Sequence, residues 1–249
     1  MTFPRQFPAW RDRLEQSTSM GSFGKRLGQL AARSLESESA RILKTGSANK
    51  RGLSLALDAT LREGHDMKTF GLGTAAALAS RKRYARFTSS MHAVYEKMEL
   101  ALDASTSAPN RLVWARHGLT LRRAPALAAD LAEVGASLPI LQITPATQAY
   151  LDAIDAAAAD DEARGGGRLL GHLYCRYFAD LFGGQALAVP TRCALSLGPA
   201  SPRHYEFGDF VAGRRREVIE SVYASLNEAG EAMDAAGAEE GAALQVLYS

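Results

Sequence analysis

The side chains best suited to act on a bound molecule are concentrated in one stretch, His172-Leu-Tyr-Cys-Arg176-Tyr-Phe-Ala-Asp180-Leu-Phe-Gly183-Gly184-Gln185. His172, Arg176 and Asp180 are spaced by four, so a helix places them on one face, where an arginine and an aspartate can pair. Two glycines follow in otherwise helical sequence. Each costs about 1 kcal/mol relative to alanine in a helix interior. The pair has two readings: close approach of the backbone to something flat, or a helix that simply ends at Gly183 in a glycine C-cap. The second feature is His65. Leu53, Leu57, Leu61 and His65 recur every four residues, so the imidazole shares the apolar stripe of its helix and points inward. There it is either a satisfied core histidine or a ligand.

Helices must position both features. Apolar periodicity predicts a helix from Leu53 and a longer one from about Thr74 to Leu102, with Tyr84, Phe87, Met91, Val94, Tyr95 and Met98 on its core side. Arg111–Val134 reads as one or two helices, with Pro125 near a helix start. Pro139 and Pro145 mark a break, after which Thr144 or Thr147 caps a helix through Tyr150 and Ile154. Gly165–Gly167 is a flexible connection. A strongly apolar helix runs from Arg168 past Asp180. Pro190 and then Gly198–Pro202 mark loop, and a last long helix covers about Phe210–Met233. Strand signals are few and no repeat period is visible. The pattern is that of an all-α domain.

The 249 residues suit one large domain with an arm. Hydrophobic residues at 47% and charged residues at 22% are ordinary for a globular chain, long enough to bury a core without disulfides. The two cysteines, Cys175 and Cys193, read as reduced thiols of an intracellular or organellar protein. A net charge of +2 gives no electrostatic case for nucleic acid. No apolar run approaches the roughly 20 residues of a membrane-spanning helix. Residues 1–51 carry ten Lys or Arg against four Asp or Glu. They read as a basic arm, with a short helix around Arg26–Ser34, or as a mitochondrial or plastid targeting segment; without targeting the expected location is the cytoplasm. The main domain then spans 52–235, and 236–249 form an Ala/Gly-rich tail.

Leu57-Asp-Ala-Thr-Leu-Arg62-Glu-Gly-His65 resembles the opening helix of heme oxygenases, and Leu169 to Gln185 resembles the signature helix of that family. Met91–Glu99, Leu121–Leu131 and Arg216–Asn227 resemble its intermediate and final helices, so the resemblance covers about Leu53–Met233. It implies a multi-helical bundle of the heme-oxygenase-like fold with an N-terminal extension. It implies that His65 is the proximal iron ligand, with Arg62 on the same heme-facing helix. Gly183 and Gly184 would let the distal helix lie against the porphyrin and admit oxygen. Asp180 would hold a distal water in a network with Arg176 and Asn227. Heme would be both cofactor and substrate, an external electron-donor protein would be the partner, and the products would be biliverdin, carbon monoxide and ferrous iron.

Several positions depart from the family pattern. Ala179 stands where many members have glycine, and Phe182 replaces a small residue beside the distal glycines. His92 falls where relatives have a distal tyrosine. Asp58 replaces a lysine that faces the heme propionates, where a carboxylate would repel them. The chain between Gln185 and Val218 is shorter than in relatives, and Arg214, Arg215 and Arg216 are the basic residues left to substitute for the lost propionate anchors, or else form a solvated face. These departures leave a second expectation open: a catalytically silent member of the fold serving as an accessory subunit of an organellar assembly held through the N-terminal arm. A heme sensor or carrier without turnover is a third.

Overall fold

The computed structural model describes residues 47, 49–64, 76–135 and 143–235. His65, Pro139, the expected helix around Arg26–Ser34 and the 236–249 tail lie outside the described residues. The described residues are helical, with no strand among them. In chain order the helices are α1 (Gly52–Gly64), α2 (Arg81–Ala104), α3 (Ala108–Leu121), α4 (Ala124–Gly135), α5 (Pro145–Arg164), α6 (Arg168–Ala179), α7 (Gln185–Leu195) and α8 (Gly208–Ala235). A single π-helical turn, Asp180–Gly184, joins α6 to α7, and a 3₁₀ turn at Arg203–Tyr205 precedes α8.

Local chemistry sets the boundaries. The Ser80 side chain accepts the Arg83 N–H and starts α2, and the Thr144 side chain does the same for Thr147 at the start of α5. Gly165 ends α5 with a left-handed φ of 68°, a conformation open to glycine at little cost. Segment 111–134 resolves into two helices because the buried Glu99 carboxylate accepts the N–H groups of Arg123 (2.6 Å) and Ala124 (3.0 Å), which caps α4 from outside its own sequence.

One face of nearly every helix closes on a shared core. Leu57, Met98, Leu127, Ile154, Leu169, Leu173, Tyr177, Val222 and Leu226 are fully buried there. Each such side chain contributes about 1.5–3 kcal/mol relative to exposure. α2 packs on α4 and α5, α8 packs on α1 and α3, and α6 lies against α2, α3, α5 and α1. The signature helix is thus the central one, which explains why it is apolar around most of its circumference.

The structure corrects several expectations. The helix expected from about Thr74 starts at Arg81, behind a turn at 78–79 and the Ser80 cap, and Phe87 is exposed rather than on its core side. The chain does not stop at Gly183. Gly184 is right-handed helical, with φ −58° and ψ −39°, and the helix continues after one widened turn, so the C-cap reading fails. Pro190 is not in a loop but inside α7. It forfeits one backbone hydrogen bond, and the helix persists because Leu187 and Ala188 are buried against Tyr205.

Candidate functional site

The π-helical turn brings Asp180 under the middle of α2. Its Oδ2 lies 2.5 Å from the Tyr95 hydroxyl, which is also 3.3 Å from the carbonyl of Arg176. A π turn commonly marks a functional site, because the extra residue re-aims the side chains on either side of it. Arg176 does not pair directly with Asp180, as the four-residue spacing suggested. Its Nε donates to the Tyr150 hydroxyl at 3.2 Å, and its guanidinium lies 4.5 Å from the Tyr150 ring centroid. The widened turn and the pull of Tyr150 from α5 separate the two charges, and the Tyr95 hydroxyl meets the Asp180 carboxylate and the backbone carbonyl of Arg176, not its guanidinium. His172, one turn earlier, contacts the same Tyr150 hydroxyl through Nδ1 at 3.1 Å.

Burial dominates the titration of this cluster. It pushes the Asp180 carboxyl above the ordinary carboxylate range, opposed by His204, by the Tyr95 hydrogen bond and by Arg123 and Arg176. Tyr95 is pushed well up by burial and then by the negative charge of Asp180. Burial, followed by the charge of Arg176, lowers His172 to about 4, so this histidine is neutral at physiological pH.

A second group supports the turn from the far side. Asp130 of α4 is buried and accepts from the Arg203 N–H (2.8 Å) and the His204 N–H (3.0 Å), and its Oδ2 lies 2.8 Å from His204 Nδ1. Burial raises its carboxyl, but these bonds outweigh it and leave the group below the usual range. The loop before α8 is thereby drawn onto the glycine turn. A Cβ built on Gly184 would meet the Tyr205 ring at 2.8 Å and Asp180 Oδ1 at 3.3 Å, so this glycine is required by close packing of the loop. Sequence reasoning missed Tyr95, Tyr150, Asp130 and His204 as members of the site. Tyr95 and Tyr150 lay among helix positions read as core, and the only signal for Asp130 was a carboxylate in a helix that is apolar but for Asp130 and Glu133.

Asn227 is not brought into this network. Its Oδ1 accepts the Ser54 N–H at 3.1 Å and its Nδ2 donates to the Asn49 carbonyl at 2.7 Å, so both ends of the amide are committed to the start of α1. The hydroxyls beside Asp180 and Arg176 come from Tyr95 and Tyr150; His92 is half-buried on α2. Asp58 is not a free repelling charge. It is buried, 2.6 Å from Lys50 Nζ, and accepts from the Tyr174 hydroxyl at 3.2 Å. Arg214 and Arg216 are exposed, with Arg214 beside Glu217 on α8. Ala179 is exposed on the face next to Asp180. Gly183 lies in the π turn by its backbone; the side chains of Phe182 and Arg62, like all of His65, lie outside the described residues. Among the described residues no cluster of His, Cys, Asp and Glu is arranged to hold a bare metal ion, and no helix is long and apolar enough to cross a membrane.

Comparison with known proteins points to one family. The family model described as heme oxygenase matches residues 62–240. Heme oxygenase 2 of Synechocystis sp. is 28% identical over 149 residues, which make up 59% of this chain and 57% of that protein, so the match spans little more than half of the relative. Among solved structures, heme oxygenase from Leptospira interrogans is similar with a TM-score of 0.52 and 23% identity, covering 88% of this chain and 95% of that one. The last supports the fold; the family model, matching most of the chain from the end of α1 through the glycine turn, places it more closely. The chain belongs to the heme oxygenase family.

Proposed function

We propose that this chain binds heme and cleaves it oxidatively to biliverdin, carbon monoxide and ferrous iron, using electrons from an external reductant. Family membership supports the heme-oxygenase-like assignment. The observation that carries the finer reading is Asp180: a carboxyl raised by burial, fixed on the Tyr95 hydroxyl, at a widened helical turn that contains two glycines. Bound heme would supply the iron that activates oxygen and the porphyrin edge that is oxidised.

The chain's own residues supply proton control. A carboxyl with raised affinity for protons can hold one at Oδ1 or Oδ2 closer to neutral pH than a free aspartate and release it in reaction. Tyr95 fixes its orientation, so the group is in place before charge develops. Arg176, locked by Tyr150, adds positive potential to the same region without neutralising Asp180 by direct contact. Exposed Ala179 leaves the adjoining face of α6 uncrowded. His65 is the proposed iron ligand, with Arg62 three residues before it in sequence, and Gly183 and Gly184 would let the backbone of the π turn come close to the porphyrin.

Titration of the purified protein with hemin, followed by a reductant in air, tests this reading. The expected result is a saturable Soret band at one heme per chain, lost in His65→Ala, and conversion to a bile-pigment spectrum. Binding without conversion would instead mark a heme carrier, and the absence of specific binding would overturn the proposal.

A further inference from the structure

Three aromatic side chains lead from Asp180 toward the surface in one unbroken series. The Tyr95 and Tyr177 ring centroids are 5.1 Å apart, edge to face, and those of Tyr177 and Trp114 are 6.1 Å apart. Tyr95 and Tyr177 are buried, and Trp114 reaches the edge of the core at 6% exposure. Close aromatic packing alone is ordinary core. The distinguishing feature is that each ring donor faces a carboxylate: Tyr95 faces Asp180 at 2.5 Å, Tyr177 faces Glu99 at 3.2 Å, and Trp114 Nε1 donates to Asp103 at 2.7 Å. An electron can leave a phenol or an indole at modest cost when a base within hydrogen-bond reach takes the proton.

The outer end is built for such a step. Gly118, one turn after Trp114, leaves the space the indole occupies, since a Cβ there would lie 2.9 Å from the ring. The Arg122 guanidinium sits 5.2 Å from the indole centroid and also pairs with Asp103. A cation over the ring opposes a positively charged indole, so oxidation of Trp114 must carry off its Nε1 proton, and Asp103 is there to receive it. The Asp103 side chain is 40% exposed and can pass the proton to water. The neighbouring stack Tyr174–Phe178–Tyr223 is as close, at 4.4 Å and 5.2 Å, but Phe178 in its middle has no proton to give and breaks the series.

We infer that Tyr95, Tyr177 and Trp114 form an escape route that carries one-electron oxidising equivalents from the heme site to the surface. This rests on the heme reading above. The oxidant is hydrogen peroxide, which at bound heme takes up two electrons and two protons to give two waters. Each passage along the route supplies one electron. Trp114 loses an electron from the indole and its proton to Asp103. Tyr177 and Tyr95 each lose an electron with the hydroxyl proton going to Glu99 or Asp180, and recover both when the next ring outward is oxidised. A small one-electron donor in solution, of the ascorbate class, returns an electron and a proton to Trp114, so two passages reduce one peroxide. The site is thereby spared oxidation when peroxide reaches it without productive chemistry.

The test loads the full chain with one equivalent of hemin, confirmed by its Soret band, and adds hydrogen peroxide without a donor. Freeze-quench electron paramagnetic resonance and peptide mapping are the readouts. A tryptophan-type radical and oxygen adducts at Trp114 are expected, with few at Trp10, the only other tryptophan, and ascorbate should suppress them. In Tyr177→Phe with an unchanged Soret band and helical circular dichroism, the radical should stay on Tyr95 and the Trp114 adducts should be lost. Trp114→Phe, nearer the surface, should leave the radical on tyrosine. Persistence of Trp114 adducts in Tyr177→Phe, or equal adducts at Trp10 and Trp114, overturns the route, as does a wild-type Soret band with no protein radical. Absence of a Soret band in the wild type overturns the heme reading and the route with it.

Discussion

At the scale of single residues, the site turns on one carboxyl group. Asp180 is held on Tyr95 in a buried setting that disfavours its charge. A folded-state pKa above the unfolded value means that the native protein binds the extra proton. The associated stability is fully present below the unfolded pKa of about 3.9 and is lost as pH rises through the folded value. Asp180→Asn keeps an acceptor for Tyr95 and removes that loss. The variant is expected to melt higher than the wild type at pH 7, with the gap closing toward pH 4, while conversion of bound heme slows and the Soret band stays. A lower melting temperature at pH 7 would show that the Asp180 charge stabilises the fold. Asp180 and its helix were legible in the sequence because they are consecutive in it. Tyr95, 85 residues away, was legible only as an apolar-stripe position, since no local pattern distinguishes a core tyrosine from one whose hydroxyl meets a carboxylate.

At the scale of elements, the glycine turn behaves as a packing device. The loop before α8 is pinned by Asp130 and pressed onto Gly184, so the shape of the turn depends on a segment 20 residues further on. Gly184→Ala would place a Cβ 2.8 Å from the Tyr205 ring and 3.3 Å from Asp180 Oδ1. The ring has to shift, and overpacking of this kind costs about 1–3 kcal/mol. Urea denaturation should show that loss, with Gly184→Ser no better; an unchanged midpoint would mean that the loop yields freely. The same reasoning explains the reading of Gly183 and Gly184 as a helix end. Glycine pairs usually do end helices, and only the burial of both flanks keeps this one going.

At the scale of the whole molecule, the start of α1 is fastened to the bundle by polar contacts of long sequence separation. Asn227 holds Ser54 and Asn49, and Lys50 sits on the buried Asp58, which also takes the Tyr174 hydroxyl of the signature helix. Removing the lysine takes a charged partner from a buried carboxylate, a loss of about 1–3 kcal/mol. Lys50→Ala should therefore lower the melting temperature more than Lys50→Ala combined with Asp58→Asn, and equal losses would show that the pair is not coupled. Because α1 leads directly to His65, the loosened variant is also expected to bind hemin more weakly, checked in the same titration.

The sequence by itself determined most of the helices, their all-α assembly, the strongly apolar character of the helix from Arg168 and the candidacy of Arg176 and Asp180. Those follow from apolar periodicity and local spacing, which depend on neighbours within a turn or two. The tertiary structure alone decided that Arg176 reaches Tyr150 while Asp180 reaches Tyr95, that Asn227 serves α1, that Asp58 is paired, and that Asp130 shapes the glycine turn from α4. Each of these is a hydrogen bond between side chains far apart in sequence. Its partner is selected by which helix faces pack together, and the pattern of apolar residues fixes which face is buried without fixing what that face will meet.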